Sequence, residues 1–210
     1  MKKYITEFIG TFFLVLTIGL TVNGGLTGIM TPLVIGSSLM IMVYAGGHIS
    51  GGHYNPAVTL AVLIRGRINA AEAVIYMISQ VAAAIVAALI VKYLVGSTMP
   101  VEATANPHVT KALLAELLGT FALAYVVLNV ATAKANAGNS YFGLAIGFTV
   151  MVMAYTLGSF SGGAFNVAVA VGITVMKMAA WQDIWIYLIG CFGGAAIAAL
   201  VFKMNNPEDV

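Results

Sequence analysis

One short stretch occurs twice in this chain. Ser50-Gly51-Gly52-His53-Tyr54-Asn55-Pro56-Ala57-Val58 returns, altered, as Ser161-Gly162-Gly163-Ala164-Phe165-Asn166-Val167-Ala168-Val169. Each copy leads into an apolar segment, 55–64 and 166–176. Both are too short to cross a bilayer, which takes about 20 apolar residues in a helix, so each is expected to enter a membrane only part way. Asn is a favoured helix N-cap, and Pro56 suits the first helical position, where an N–H is not needed. Asn55 and Asn166 therefore read as the caps of two half-helices. If these enter from opposite sides, their N-termini meet near the midplane, and each presents roughly half a positive charge. Broken helices are tolerated at that depth only where protein buries them or a water-filled cavity runs past them, so the repeat predicts a pore.

The rest of the chain supports a membrane setting. Of 210 residues, 61% are hydrophobic and 8% charged, which is too apolar for an ordinary soluble domain. Apolar runs near 5–22, 32–45, 71–95, 112–132, 142–157 and 184–202 give six candidate spans beside the two half-spans. The run after Met1-Lys2-Lys3 contains Glu7 and no small-residue cleavage site, so it reads as the first span rather than a signal peptide. A net charge of +2 with no basic cluster argues against nucleic acid, and the lone Cys191 against an internal disulfide. With the N-terminus inside, Lys2, Lys3, Arg65, Arg67, Lys134 and Lys203 fall on the cytoplasmic side and Lys92, Lys111 and Lys177 outside, so both termini are expected in the cytoplasm.

The duplication reaches beyond the loops. Thr6-Glu7-Phe8-Ile9-Gly10-Thr11-Phe12 matches Ala115-Glu116-Leu117-Leu118-Gly119-Thr120-Phe121, and Tyr76 and Tyr187 keep the spacing of Asn55 and Asn166. The expected organisation is a first repeat over 1–98, an outer linker over 99–108, a second repeat over 109–203 and a cytoplasmic tail over 204–210. Three spans per half invert the second repeat relative to the first. The fold class is thus all-α and integral to the membrane: six transmembrane helices and two re-entrant half-helices. Glu7 and Glu116 lie within apolar runs, where a carboxylate faces the interior and finds partners. Glycines spaced four apart, Gly143 with Gly147 and Gly190 with Gly194, predict close helix packing inside one bundle. Gly51, Gly52, Gly162 and Gly163 fit loops with unusual backbone angles beside a pore. His48 and His53, placed in the extended loop, lack Cys or acidic partners and read as structural or pore-lining rather than as metal ligands.

Over almost its whole length the chain resembles the aquaporin and glycerol-facilitator (major intrinsic protein) family, and Gly47 to Thr59 is very close to that family's first signature loop. The second copy departs from the usual Asn-Pro-Ala followed by arginine: Val167 stands at the proline position and Val169 at the arginine position. Val is compatible with a first helical turn, so the second half-helix is expected to persist. The resemblance implies a pore centre at Asn55, Pro56, Ala57, Asn166, Val167 and Ala168, a pore-lining loop at Gly51, Gly52, His53 and Gly162, and loop support from Glu7 and Glu116. It puts the four filter positions at Ile35, Ala154, Gly163 and Val169, while a register one residue later puts Tyr155 in the opening. It also implies a homotetramer with one pore per subunit, in lipid, here expected in the plasma membrane of a microbe.

The implied function is a passive channel for water and small neutral solutes, of the glycerol, urea or ammonia class, through a wide apolar filter. The alternatives are an ammonia, gas or small-polyol channel with poor water flux, since apolar constrictions dewet, and a non-conducting scaffold on the same fold. A coupled transporter would have only Glu7 and Glu116 for an ion site. The sequence holds no nucleophile–base pairing, phosphate loop or metal-ligand cluster that would argue for an enzyme, and no cofactor is expected.

Overall fold

The computed structural model describes residues 1–23, 28–96 and 108–209. Among the described residues eight α-helices follow in order: α1 (Lys2–Asn23), α2 (Thr31–Ser50), α3 (Pro56–Arg65), α4 (Ala70–Val95), α5 (Val109–Val127), α6 (Phe142–Ser161), α7 (Val167–Val175) and α8 (Ile184–Asn205). Six of these stretches are long and apolar enough to cross a membrane. The two exceptions, α3 and α7, have 10 and 9 residues. Their caps Asn55 and Asn166 lie just outside the helices, so the half-helices start one residue later than the sequence indicates. Of the linker expected over 99–108, only His108 is among the described residues.

The second and sixth helices are longer than their apolar runs. Both α2 and α6 have 20 residues and continue through polar residues to Ser50 and Ser161. His48 therefore lies in the last turn of α2, not in an extended loop. Helical hydrogen bonding does not end where hydropathy falls; it ends where Gly51 and Gly162 turn left-handed, at φ 92° and 89°. After α5 the chain forms one π-helical turn, Leu128–Thr132. Two of that turn's carbonyls are taken by side chains of the next segment: Asn136 donates to Asn129 O at 2.9 Å and Asn139 to Val130 O at 2.7 Å.

Packing repeats by halves. Helix α1 packs on α4 and α2, α5 on α8 and α6, and α2 meets α6 between the halves. The half-helices cross over, α3 packing against α8 and α7 against α4, so each repeat holds the other's broken helix. Small residues allow this closeness. A Cβ on Gly36 would lie 2.5 Å from Gly147 O, and one on Gly147 would lie 2.5 Å from Gly36 O, which fixes the α2–α6 crossing. Gly190 and Gly194 likewise face the backbone of α5 at Leu113 and Leu117. Outward faces carry Ile5, Phe13, Ile41, Ile78, Leu89, Phe148 and Leu200, all exposed on the chain by itself, as a hydrocarbon solvent requires.

Beyond α8, the turn Pro207–Asp209 folds back on the bundle. Asp209 accepts the Lys134 backbone N–H at 2.8 Å, and its other oxygen lies 2.8 Å from Arg65, 3.4 Å from Arg67 and 3.7 Å from Lys134 Nζ. The Lys134 N–H, followed by the nearby Arg65 charge, holds the Asp209 carboxyl below its usual range. A depressed carboxyl contributes stability above the unfolded value of about 3.9 and loses it as pH falls through the lower folded value. Attachment of the turn is therefore expected to stay constant from neutral pH down into the ordinary carboxylate range and to loosen only below it. The Lys134 amide NMR shift, followed through an acid titration, reads this directly.

Candidate functional site: a cavity between two half-helix caps

The local geometry starts with two backbones that L-residues rarely adopt. Tyr54 and Phe165, the residues before the capping asparagines, have φ of 48° and 46°. Each is held by a buried carboxylate. Glu7 accepts from Ser50 Oγ at 2.7 Å, His53 N at 3.0 Å, Tyr54 N at 2.7 Å and Gln80 Nε2 at 2.7 Å. Glu116 accepts from Ser161 Oγ at 2.6 Å, Ala164 N at 3.0 Å, Phe165 N at 2.7 Å and Cys191 Sγ at 3.5 Å. Both carboxylates are fully buried, so these donors take the place of the water lost there. Tyr76 and Tyr187 donate to Ser50 O and Ser161 O at 2.8 and 2.6 Å, closing the same corner in each half.

Several of these partners are not evident from the sequence alone. Gln80 and Cys191 occupy equivalent places with different chemistry, so comparing the halves for identity passes over them. Gly10 and Gly119 are part of the matched segments, but their role is spatial: a Cβ on either would collide with the ring of Tyr54 or Phe165. The signal for all of them is the offset between the halves, applied to every polar or small residue rather than to the loops alone.

With the loops held, the two asparagines face each other. Asn55 Oδ1 accepts from Ala57 N at 2.8 Å, while Asn55 Nδ2 donates to Phe165 O at 2.9 Å. Asn166 Oδ1 accepts from Ala168 N at 2.9 Å and Val169 N at 3.4 Å, and its Nδ2 donates to Tyr54 O at 2.9 Å. Pro56 and Val167 begin the respective half-helices, and Ala57 and Ala168 beside them are fully buried. Val167 thus occupies the first helical position while the cap remains intact. An amide NH2 has two donors. One of each pair is spent on the opposite loop, which leaves a second N–H on each asparagine at the edge of a cavity.

That cavity has a volume of about 1080 Å³. Asn55 and Asn166 line it, and so do Ile35, Ala154, Gly163 and Val169, the four positions the resemblance puts at a filter, together with Gly52, His53 and Gly162. None of the four carries a polar side chain. Tyr155 is not among the lining residues: it is 46% exposed on the outer side of α6, where its hydroxyl bonds Ile29 O. The lining thus includes Ala154 and not Tyr155. A second cavity of about 630 Å³ is lined by Gly51, His48, Arg67, Glu72, Lys134 and Asn139 among others. His53 and Val127 line both, so the two cavities adjoin at His53. The His53 ring is fixed by a 3.1 Å contact from Nδ1 to Thr59 Oγ1 and by an edge contact with Tyr76. Among the described residues, no three His, Cys, Asp or Glu side chains are grouped to hold a metal.

Six membrane-length helices, two half-helices meeting cap to cap and two adjoining cavities between them are the architecture of a multi-pass membrane channel. The family model "Major intrinsic protein" matches residues 1–202, and the chain belongs to that family. It is 36% identical over 219 residues to "Glycerol uptake facilitator protein-like 6" of Lactiplantibacillus plantarum, covering 100% of both chains. It is 34% identical over 212 residues to "Aquaporin NIP1-4" of Oryza sativa subsp. japonica, covering 97% of this chain and 77% of the relative. Its fold is similar to that of the aquaglyceroporin from Plasmodium falciparum, with a TM-score of 0.82 at 23% identity, covering 99% of this chain and 97% of that one. As a member of that family the protein is a passive channel of the water and small-solute class rather than an enzyme.

Proposed function

We propose that the channel passes small neutral solutes of the glycerol, urea or ammonia class together with water, through a wide apolar filter at Ile35, Ala154, Gly163 and Val169. The observation that carries this reading is Val169. It is buried at 3% exposure in the wall of the larger cavity, where an arginine would project fixed donors and a charge into the passage. In its place the wall offers methyl groups, which neither narrow the opening nor bind a solute strongly. The spare N–H groups of Asn55 and Asn166 then act as the central donors, and carbonyls of the Gly51–His53 and Gly162–Ala164 loops act as acceptors along one wall.

Ions are refused without a filter charge. The caps of α3 and α7 place two positive helix ends at the centre, and an ion entering the apolar ring loses hydration that methyl groups do not replace. Glu7 and Glu116 belong to the support of the loops in this reading, since their oxygens are engaged by loop donors. The repeats 1–98 and 109–203 form the two inverted halves. The smaller cavity, with Lys3, Arg67 and Lys134 on its wall, faces the cytoplasm with both termini. Four copies in the plasma membrane, each with its own pore, complete the picture.

Reconstituted vesicles test the proposal. Under inward gradients of glycerol and urea, light scattering is expected to show solute entry well above that of empty vesicles, while a planar bilayer carrying the protein shows no ionic conductance. Solute entry at the rate of empty vesicles, with the protein folded, would overturn the wide-filter reading.

A further inference from the structure

The mouth of the smaller cavity holds an ionic cluster that solute passage does not require. Arg67 and Lys134 line this cavity, whereas Asp209, which contacts both, does not. The carboxylate thus sits behind the wall and pulls two exposed cationic side chains toward it. It also reaches Arg65, whose guanidinium is buried and stacks 4.8 Å over the Phe202 ring, so the anchor point is itself fixed in the bundle. Three separate elements meet on this one side chain: the end of α3, the segment after the π-helical turn and the turn after α8.

The other charged and titratable groups around the mouth are placed differently. Lys3 is paired with Glu72 at 2.8 Å, His48 lies in the last turn of α2, and His53 is held by Thr59 deeper in. Glu208 contributes its backbone carbonyl, 3.4 Å from Lys134 Nζ. Arg67 also donates to Thr132 O at 3.4 Å, so the cluster reaches the start of the 132–139 segment that walls the mouth.

We propose that the turn Pro207–Asp209 is a latch that keeps the mouth of the smaller cavity open, with Asp209 holding Arg67, Lys134 and the segment behind them against the wall. Without that charge the two cations repel each other and extend into the mouth, and the 132–139 segment loses one of its anchors. The latch rests on the reading of the two cavities as one passage.

The test is Asp209→Asn, which removes the charge and leaves an oxygen able to accept the Lys134 N–H. Glycerol and water permeability of reconstituted vesicles is expected to fall roughly two- to fivefold, the range that partly exposed ion pairs span. Backbone hydrogen exchange over 130–139 is expected to rise at the same time. Adding Arg67→Gln and Lys134→Gln to Asp209→Asn is expected to restore permeability, because the obstructing charges are gone; a merely damaged fold would not recover. Native permeability with native exchange in Asp209→Asn overturns the latch, and so does a triple variant that stays as slow as the single one. If the unsubstituted protein passes no solute, the channel reading fails and the latch's effect on passage with it, while native exchange over 130–139 in Asp209→Asn would separately overturn the anchoring of that segment by Asp209.

Discussion

Replacing Val169 by arginine is expected to lower glycerol and urea permeability at least ~tenfold, about 1.4 kcal/mol in barrier height, while water permeability changes by far less. Val169 is the third residue of α7, buried in the bundle at the wall of the larger cavity, which Ile35, Ala154 and Gly163 also line without a polar side chain. A guanidinium there has a longer stem than valine and five N–H donors in a rigid plane. It fills space that a three-carbon solute needs, and it binds whatever carbonyl or water it meets. A water molecule fits beside it and can use its donors. Stopped-flow light scattering on vesicles of the two proteins, matched for protein content, gives both rates in one preparation. Equal glycerol rates would mean that Val169 is not at the narrow part of the passage.

Loss of the buried carboxylate in the second half is expected to have a large effect on stability. Glu116→Ala leaves the Ser161 hydroxyl and the Ala164 and Phe165 N–H groups buried without their acceptor. Each unsatisfied donor costs about 1–3 kcal/mol, so the total is on the order of the entire ~5–15 kcal/mol that holds a typical domain together. The left-handed Phe165 also loses the contact that holds it. Little folded protein is expected, and whatever is recovered should melt well below the native protein. Glu116→Gln keeps one acceptor oxygen, but its NH2 opposes a backbone donor, so an intermediate loss is expected. A thermal melt of the purified protein in detergent separates the cases. A native-like melt for Glu116→Ala would remove the supporting role assigned here. Full solute flux in a folded Glu116→Gln protein would in turn argue against any proton relay through this carboxylate.

Much of this architecture is legible in the sequence because the constraints are local. A Gly-Gly-x-x-Asn loop before a short apolar run fixes a cap and a half-helix, and hydropathy finds the spans by length. What hydropathy misjudges is where α2 and α6 end: His48 and Ser50 look like loop residues, yet the helix carries them to the edge of the smaller cavity and to Glu7. Contacts between distant residues are less legible still. Gln80 and Cys191 meet equivalent carboxylates with unlike side chains, and the Gly10 and Gly119 clearances exist only once the rings of Tyr54 and Phe165 are in place. Asp209 looks like part of a short solvated tail, since nothing in its neighbours indicates that two arginines and a lysine 75 to 144 residues away converge on it.

The fold alone does not determine which solutes pass, because the same half-helix caps serve narrow and wide filters. The wide apolar filter is the central claim, and the reflection coefficient for glycerol tests it most directly. Vesicles containing the protein are shocked with equal osmolarities of glycerol and sucrose, and the initial rates of shrinkage are compared. A wide filter predicts a glycerol rate clearly below the sucrose rate, followed by reswelling as glycerol enters. Equal rates with no reswelling, in vesicles that pass water faster than empty ones, would describe a narrow water pore and contradict the claim.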